Sequence, residues 1–291
     1  MAPRADVSPP IGLPEIVPYG PTFAAEVRSL DFSRPIDDRA IRTLHQALME
    51  HKILFFRDVD LTPERHVAFG RQFGDLTVHP VVPHLEDFPE VMVLDNHKDN
   101  PVFSTDTWHT DETFRVSPPM GSILRCIRIP QRGGDTLWAD MCAAYDGLSD
   151  KMRHFISGLE AVHDFKNFRH KFDHLPTRER HAKLAEMEEA LPNPTHPVVY
   201  EHPVTRRKAL YVNEQFTVAI NGMRDDESQA LLAFLNAQPK IPDYQFRFHW
   251  EVHSMVFWDN RSTQHYAAND YYPERRTMQR VTIKHEHDFI S

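Results

Sequence analysis

Met255-Val-Phe-Trp258 and, twenty residues on, Met278-Gln-Arg-Val-Thr-Ile283 decide the fold, because both read as short strands rather than helices. Working outward, strand-like runs recur at Ile53–Phe56, Val91–Leu94, Trp108–Phe114, Ser122–Ile129, Thr136–Ala139, Pro197–Tyr200, Ala209–Val212 and Gln245–His249. Helices are expected from Asp37-Asp38 to His51 and from Thr62-Pro63 to a stop at Gly74. Others are expected over Asp140–Leu148, Asp150–Gly158, Arg178–Leu191 and Glu227–Ala237. Many short strands with long excursions predict a mainly β protein with flanking helices, arranged as a double-sheet jelly roll, the double-stranded β-helix.

The 291 residues carry 33 Lys plus Arg against 42 Asp plus Glu, a formal charge of −9. Nucleic-acid binding needs a basic surface, and no basic stripe exists here, so that class is excluded. Cys126 and Cys142 are the only cysteines and stand far from any Cys-x-x-Cys spacing, which makes them buried small hydrophobes rather than metal or redox ligands. Apolar runs such as Ala230–Leu235 fall well short of the roughly 20 residues of a membrane span, and the Pro-rich N-terminus lacks a signal-peptide core. A cytoplasmic protein, with no membrane partner, is expected. Residues 1–17 read as a poorly ordered arm and 18–291 as one domain, with the charged, His-rich segment 165–194 inserted as a lid over the mouth of the β core. Histidines in helical or charged segments, including His45, His51 and His66, are expected to be solvated or partly buried.

Two constellations can carry chemistry. In a strand over Trp108–Phe114, residues two apart share a face, so His109 and Asp111 would present an imidazole and a carboxylate side by side. A third ligand would complete the two-His, one-carboxylate facial set suited to non-haem Fe(II). Arg276 and Arg280 share strand parity with Met278, while Arg275 and Thr277 face the other way. Two inward guanidiniums are costly without anionic partners and well shaped for carboxylate or sulfo groups, so two anions are implied.

From about Pro18 to Ile283 the chain resembles the Fe(II)- and 2-oxoglutarate-dependent dioxygenases of the taurine dioxygenase (TauD/TfdA) family. The resemblance rests on His109-Thr-Asp111, Gly133-Gly-Asp-Thr-Leu-Trp138, Tyr211-Val-Asn-Glu214, Trp258-Asp-Asn-Arg261, Gln264-His265 and Arg275-Arg276, all in the family's order. It implies that His109, Asp111 and His265 bind and use Fe(II), and that Thr136 and Arg276 hold the distal carboxylate of 2-oxoglutarate. It further implies O₂ as cosubstrate, with succinate and CO₂ released. Arg280 matches the sulfonate-binding position, and His79 and Phe216 match other substrate contacts.

Val82 and Phe168 stand where taurine dioxygenases have a tyrosine and a serine. Losing those hydroxyls implies a small anionic substrate with an apolar or aromatic body, such as an alkyl sulfate, a longer sulfonate or an aryloxy acid, hydroxylated with or without loss of the anion. Taurine itself is the alternative substrate. A ligand-binding jelly roll with a vestigial site is the non-enzyme alternative, disfavoured because the iron and oxoglutarate positions are all intact. A homo-oligomer, dimer or tetramer, is compatible with the family.

Overall fold

Ile53-Leu-Phe-Phe56 and Met255-Val-Phe-Trp-Asp259 are apolar on both faces, and such runs are stable as strands covered on both sides. They pair antiparallel, with Phe56 opposite Met255 and Ile53 opposite Trp258. The computed structural model describes residues 13–20, 23–100, 106–165, 168, 169, 172–287 and 289. In chain order its strands begin with β1 (Glu15–Pro18), β2 (Ala25–Arg28), β3 (Ile53–Phe56), β4 (Gly74–Thr77), β5 (Met92–Asn96) and β6 (Gly121–Arg128). They continue with β7 (Thr136–Asp140), β8 (Glu160–His163), β9 (Thr195–Pro197), β10 (Val199–Glu201), β11 (Lys208–Leu210) and β12 (Thr217–Ile220). The last are β13 (Gln245–Phe248), β14 (Met255–Asp259), β15 (Thr263–Ala267) and β16 (Arg276–Glu286). The helices are α1 (Asp38–His51), α2 (Pro63–Arg71), α3 (Met141–Asp146), α4 (Asp150–Ile156), α5 (Thr177–Ala190) and α6 (Asp225–Asn236).

The largest sheet runs β1-β2-β3-β14-β6-β16-β4, with β5 also paired to β16. A three-stranded sheet, β13-β7-β15, carries Trp138 and His265 directly opposite each other. Alternation along the large sheet divides the core in two. Leu54, Phe56, Ile123, Met255, Phe257, Val281 and Ile283 pack with residues of α1 and α2 on one side. Ile53, Phe55, Leu124, Val256, Trp258 and Met278 pack with Trp138, Phe246 and Phe248 on the other. Because Arg276 and Arg280 share the parity of Met278, the expected inward placement holds: both are buried on the face toward the smaller sheet.

Asp37 caps α1 by accepting from the Ala40 amide at 2.7 Å, and Ile41, Leu44 and Leu48 form its buried stripe. Thr62 caps α2 with Pro63 in its first turn, but this helix ends at Arg71 with Gln72 as its cap, and Gly74 instead starts β4. A side chain at Gly74 would collide with the His285 carbonyl across the β4–β16 pair, so glycine serves close strand approach there. Two other expectations are corrected. Trp108–Phe114 is no strand: a single bridge at His109 is followed by a turn. The run Pro197–Tyr200 is split between β9 and β10, which pair with different neighbours. Ordered structure also begins inside the expected arm, since Glu15, Ile16 and Val17 pair with β2; residues 1–12 lie outside the described residues. Cys126 and Cys142 are buried and unpaired as expected. No described helix is long and apolar enough to cross a membrane.

His45 and His66 are buried rather than solvated. The Nε2 of His66 lies 3.1 Å from the Ile123 carbonyl, which fixes it as the donor of a neutral ring. Burial, aided by Arg125, pushes the ring down to about 3. A neutral ring in the fold and an ordinary one in the unfolded chain bind equal protons above about pH 6.5. Below that the unfolded chain binds more, so stability falls as pH drops from about 6.5 toward about 3, by up to ~1.4 kcal/mol per pH unit from this group. We expect His66→Leu to flatten that slope by about one proton in urea titrations across this range; an unchanged slope would show that the ring is not the source.

Candidate active site

His109 and His265 are opposed across the bridge between the loop and β15: the His109 amide donates to the His265 carbonyl at 3.0 Å, and the His265 amide donates back at 2.8 Å. Their ring centroids are 4.1 Å apart. Thr110 then donates to the Thr263 carbonyl at 2.9 Å, and the chain turns at Glu112, whose φ is 51°. Asp111, just before that residue, stands beside the two imidazoles. The Nε2 atoms of His109 and His265 lie 4.0 and 3.8 Å from Asp111 Oδ1.

One donor atom from each of the three lies within 4.8 Å of the others, and all three residues are buried. His109 Nδ1 lies 2.7 Å from the Thr107 carbonyl, which accepts its proton and leaves the Nε2 lone pair toward Asp111. Ser122 donates to Asp111 Oδ2 at 2.7 Å, fixing the carboxylate. Burial lowers both imidazoles below the usual histidine range, His265 strongly with help from His109. Burial alone would raise Asp111, but Arg280 first, then His265 and His109, hold it well below the carboxylate range. Two neutral imidazoles and an ionised carboxylate are the protonation states that a divalent metal requires, so the residues present fit Fe(II).

Arg276 is buried, and among the described residues no carboxylate pairs with it. Its Nε donates to the Gly134 carbonyl at 3.1 Å and its Nη2 to Thr136 Oγ1 at 3.4 Å. Gly134 has φ of 76°, and an added Cβ would sit 3.2 Å from Arg276 Cδ, so glycine allows this close approach. The Trp250 indole donates to Thr136 Oγ1 at 2.9 Å, orienting that hydroxyl. A buried guanidinium without an acid is costly on its own, and the pair fits an incoming carboxylate. Arg275, by contrast, is exposed and bound to Asp95 at 2.6 Å.

All ten residues singled out from the sequence border one cavity of about 420 Å³. Besides the triad, Thr136, Arg276 and Arg280, these are His79, Val82, Phe168 and Phe216. His79 Nδ1 accepts from the Val81 and Val82 amides at 3.1 and 3.0 Å, which puts its proton on Nε2. Phe168 and Phe216 stack with centroids 6.0 Å apart, and Phe216 meets His109 edge-on at 6.4 Å. Arg280 Nη1 donates to Asp111 Oδ1, while its buried Nε has no hydrogen-bond partner among the described residues. Sequence reasoning missed Glu112, which also borders the cavity and is 2% exposed. Treating 108–114 as a strand put it on the face opposite Asp111. Its φ, an uncommon one for a residue with a side chain, is what reverses that.

The family profile described as "Taurine catabolism dioxygenase TauD, TfdA family" matches residues 15–282. An alkylsulfatase of Acinetobacter baylyi is 34% identical over 271 residues, covering 91% of this chain and 83% of its own. A Pseudomonas putida α-ketoglutarate-dependent sulfate ester dioxygenase is 33% identical over 278 residues, covering 94% and 90%. Among solved structures, a taurine dioxygenase from Burkholderia xenovorans superposes with a TM-score of 0.79 at 34% identity, covering 95% of this chain and 90% of that one.

Proposed function

The chain belongs to the TauD/TfdA family of dioxygenases, and from that premise we propose that it oxidises a small organic anion with an apolar body, an alkyl sulfate first, then a longer sulfonate or aryloxy acid. It is a 2-oxoglutarate-dependent dioxygenase whose cofactor is Fe(II) and whose cosubstrates are 2-oxoglutarate and O₂. When bound, Fe(II) would let O₂ oxidise two partners at once, one oxygen atom converting a substrate C–H to C–OH and the other converting 2-oxoglutarate to succinate and CO₂. If that carbon bears a sulfate ester, the hydroxylated product falls apart to an aldehyde and sulfate.

The chain's own residues would bind, orient and keep the site dry. His109, Asp111 and His265 would hold the metal, and Arg276 with Thr136 the distal carboxylate of 2-oxoglutarate. Arg280, which borders the cavity and now rests on Asp111, would bind the substrate anion, with His79 on the same wall as a second polar contact. The observation that carries this reading is Arg280 itself: a buried guanidinium whose Nε has no hydrogen-bond partner among the described residues, in a cavity whose lining sets Val82, Leu94, Phe168 and Phe216 beside polar groups such as Asn96 and Gln215. Phe165, Phe168 and Met187 pack with Phe114 and Phe216, which supports reading 165–194 as a lid on one dioxygenase domain. The large sheet and β13-β7-β15 correspond on this reading to the two layers of a jelly roll. Two unpaired buried thiols support a cytoplasmic location, and a dimer or tetramer completes the proposal.

Succinate formation across a panel of anions tests it. Each CH₂ fully buried adds roughly 0.8 kcal/mol, so four extra methylenes add about 3 kcal/mol, on the order of a hundredfold in kcat/KM. Hexyl sulfate and pentanesulfonate should therefore far exceed taurine, and Val82→Tyr should narrow the gap by filling space and restoring a hydroxyl. A clear preference for taurine in the wild type would sink the apolar-body reading.

A further inference from the structure

We propose that Arg115 and Glu112 form a charge lock that decides whether Arg280 is free to take the substrate's anion, an inference that rests on reading Arg280 as the anion anchor. Glu112 Oε2 accepts from Arg115 Nε at 2.5 Å. Its other oxygen, Oε1, has no hydrogen-bond partner among the described residues and lies 3.8 Å from Arg280 Nη2. Two adjacent carboxylates, Asp111 and Glu112, thus face one guanidinium that still has an unused donor at Nε.

A buried carboxylate demands a cation. Arg115, partly exposed at the edge of the site, meets that demand and leaves Arg280 to the cavity. Without Arg115, the nearest cation to Glu112 is Arg280, and a small rotation of either side chain closes the 3.8 Å gap. An incoming anion would then have to displace an internal carboxylate.

Arg115 also donates from Nη2 to the Val78 carbonyl at 3.2 Å, next to His79. Removing it could act through that tether alone, so the test must separate the two causes. The probe is hexyl sulfate, with steady-state succinate formation by the full chain loaded with Fe(II) and 2-oxoglutarate, and calorimetric titration of hexyl sulfate as a binding readout. Arg115→Met should raise KM and Kd for hexyl sulfate about tenfold or more, with kcat and the KM for 2-oxoglutarate within about threefold. Glu112→Gln, which keeps the shape and removes the charge, should not weaken binding. The double variant should return to within about threefold of Glu112→Gln. An Arg115→Met protein that binds hexyl sulfate normally overturns the lock, and so does a double variant that keeps the weakened binding, which is the tether's signature. If Arg115→Met does not fold, Arg115→Gln takes its place with the same expected outcomes. Arg280→Met separates this inference from its premise. Weakened binding there alongside a silent Arg115→Met refutes the lock alone, and unchanged binding in Arg280→Met refutes the anchor and the lock together.

Discussion

His265→Ala is expected to abolish 2-oxoglutarate turnover, and His109→Ala and Asp111→Ala are expected to do the same. The three side chains are the only described cluster of donors of this kind, within 4.8 Å of one another. Each is prepared for the metal by its surroundings: the Thr107 carbonyl sets the His109 tautomer, Ser122 fixes Asp111, and burial keeps His265 neutral. Loss of an outer hydrogen-bond partner at a metal site typically costs about 10–100-fold. Ser122→Ala should fall in that range, and loss of a ligand should exceed it by a wide margin. The measurements are Fe(II) stoichiometry and succinate formation with saturating hexyl sulfate. Near-normal iron content and turnover in any one of the three alanine variants would remove that residue from the assignment.

The second large effect is expected at the other end of the cavity. Arg276→Met should raise the 2-oxoglutarate concentration needed for half-maximal turnover by roughly a hundred- to a thousandfold, because truncating one partner of a buried charged contact costs about 3–4 kcal/mol. Iron content should change little, since Arg276 touches none of the triad in the described contacts. An unchanged oxoglutarate titration would move the role to another arginine. Arg275 is a poor candidate because Asp95 already engages it in two hydrogen bonds. Arg280 would then be the group to examine.

Arg276 and Arg280 were legible from the sequence because a strand's period of two is rigid, so one buried residue, Met278, fixes the side of its neighbours. His109 and Asp111 were legible as a pair by their spacing, although a single bridge at His109 and not a full strand holds this stretch. Mistaking the turn hid Glu112, whose left-handed φ cannot be read from a glutamate in the sequence. The strand β15 was also missed. Thr-Gln-His-Tyr-Ala has no apolar alternation, and it is held by pairing with β7 and by the rings of Trp138 and Trp258 around His265. Strands of four residues, such as β1, β2, β8 and β12, are too short for periodicity to separate from loops. Resemblance to the family supplied His265 and Thr136, which no local pattern singled out. Phe168 and Val82 also came from the resemblance, and both border the cavity.

β16 carries both cavity-facing arginines, four residues apart, and is clamped by β6 along one edge and by β5 and β4 along the other. It therefore acts as a ruler: about 13 Å of pleated backbone separates the two positions, and neither can drift without shifting the whole register. An enzyme built this way can change what it accepts without disturbing what drives it. Anyone seeking variants with altered preference would randomise the loop bearing Val82 and the segment bearing Phe168, leave the ruler untouched, and expect active variants to share one oxoglutarate affinity while their substrates diverge.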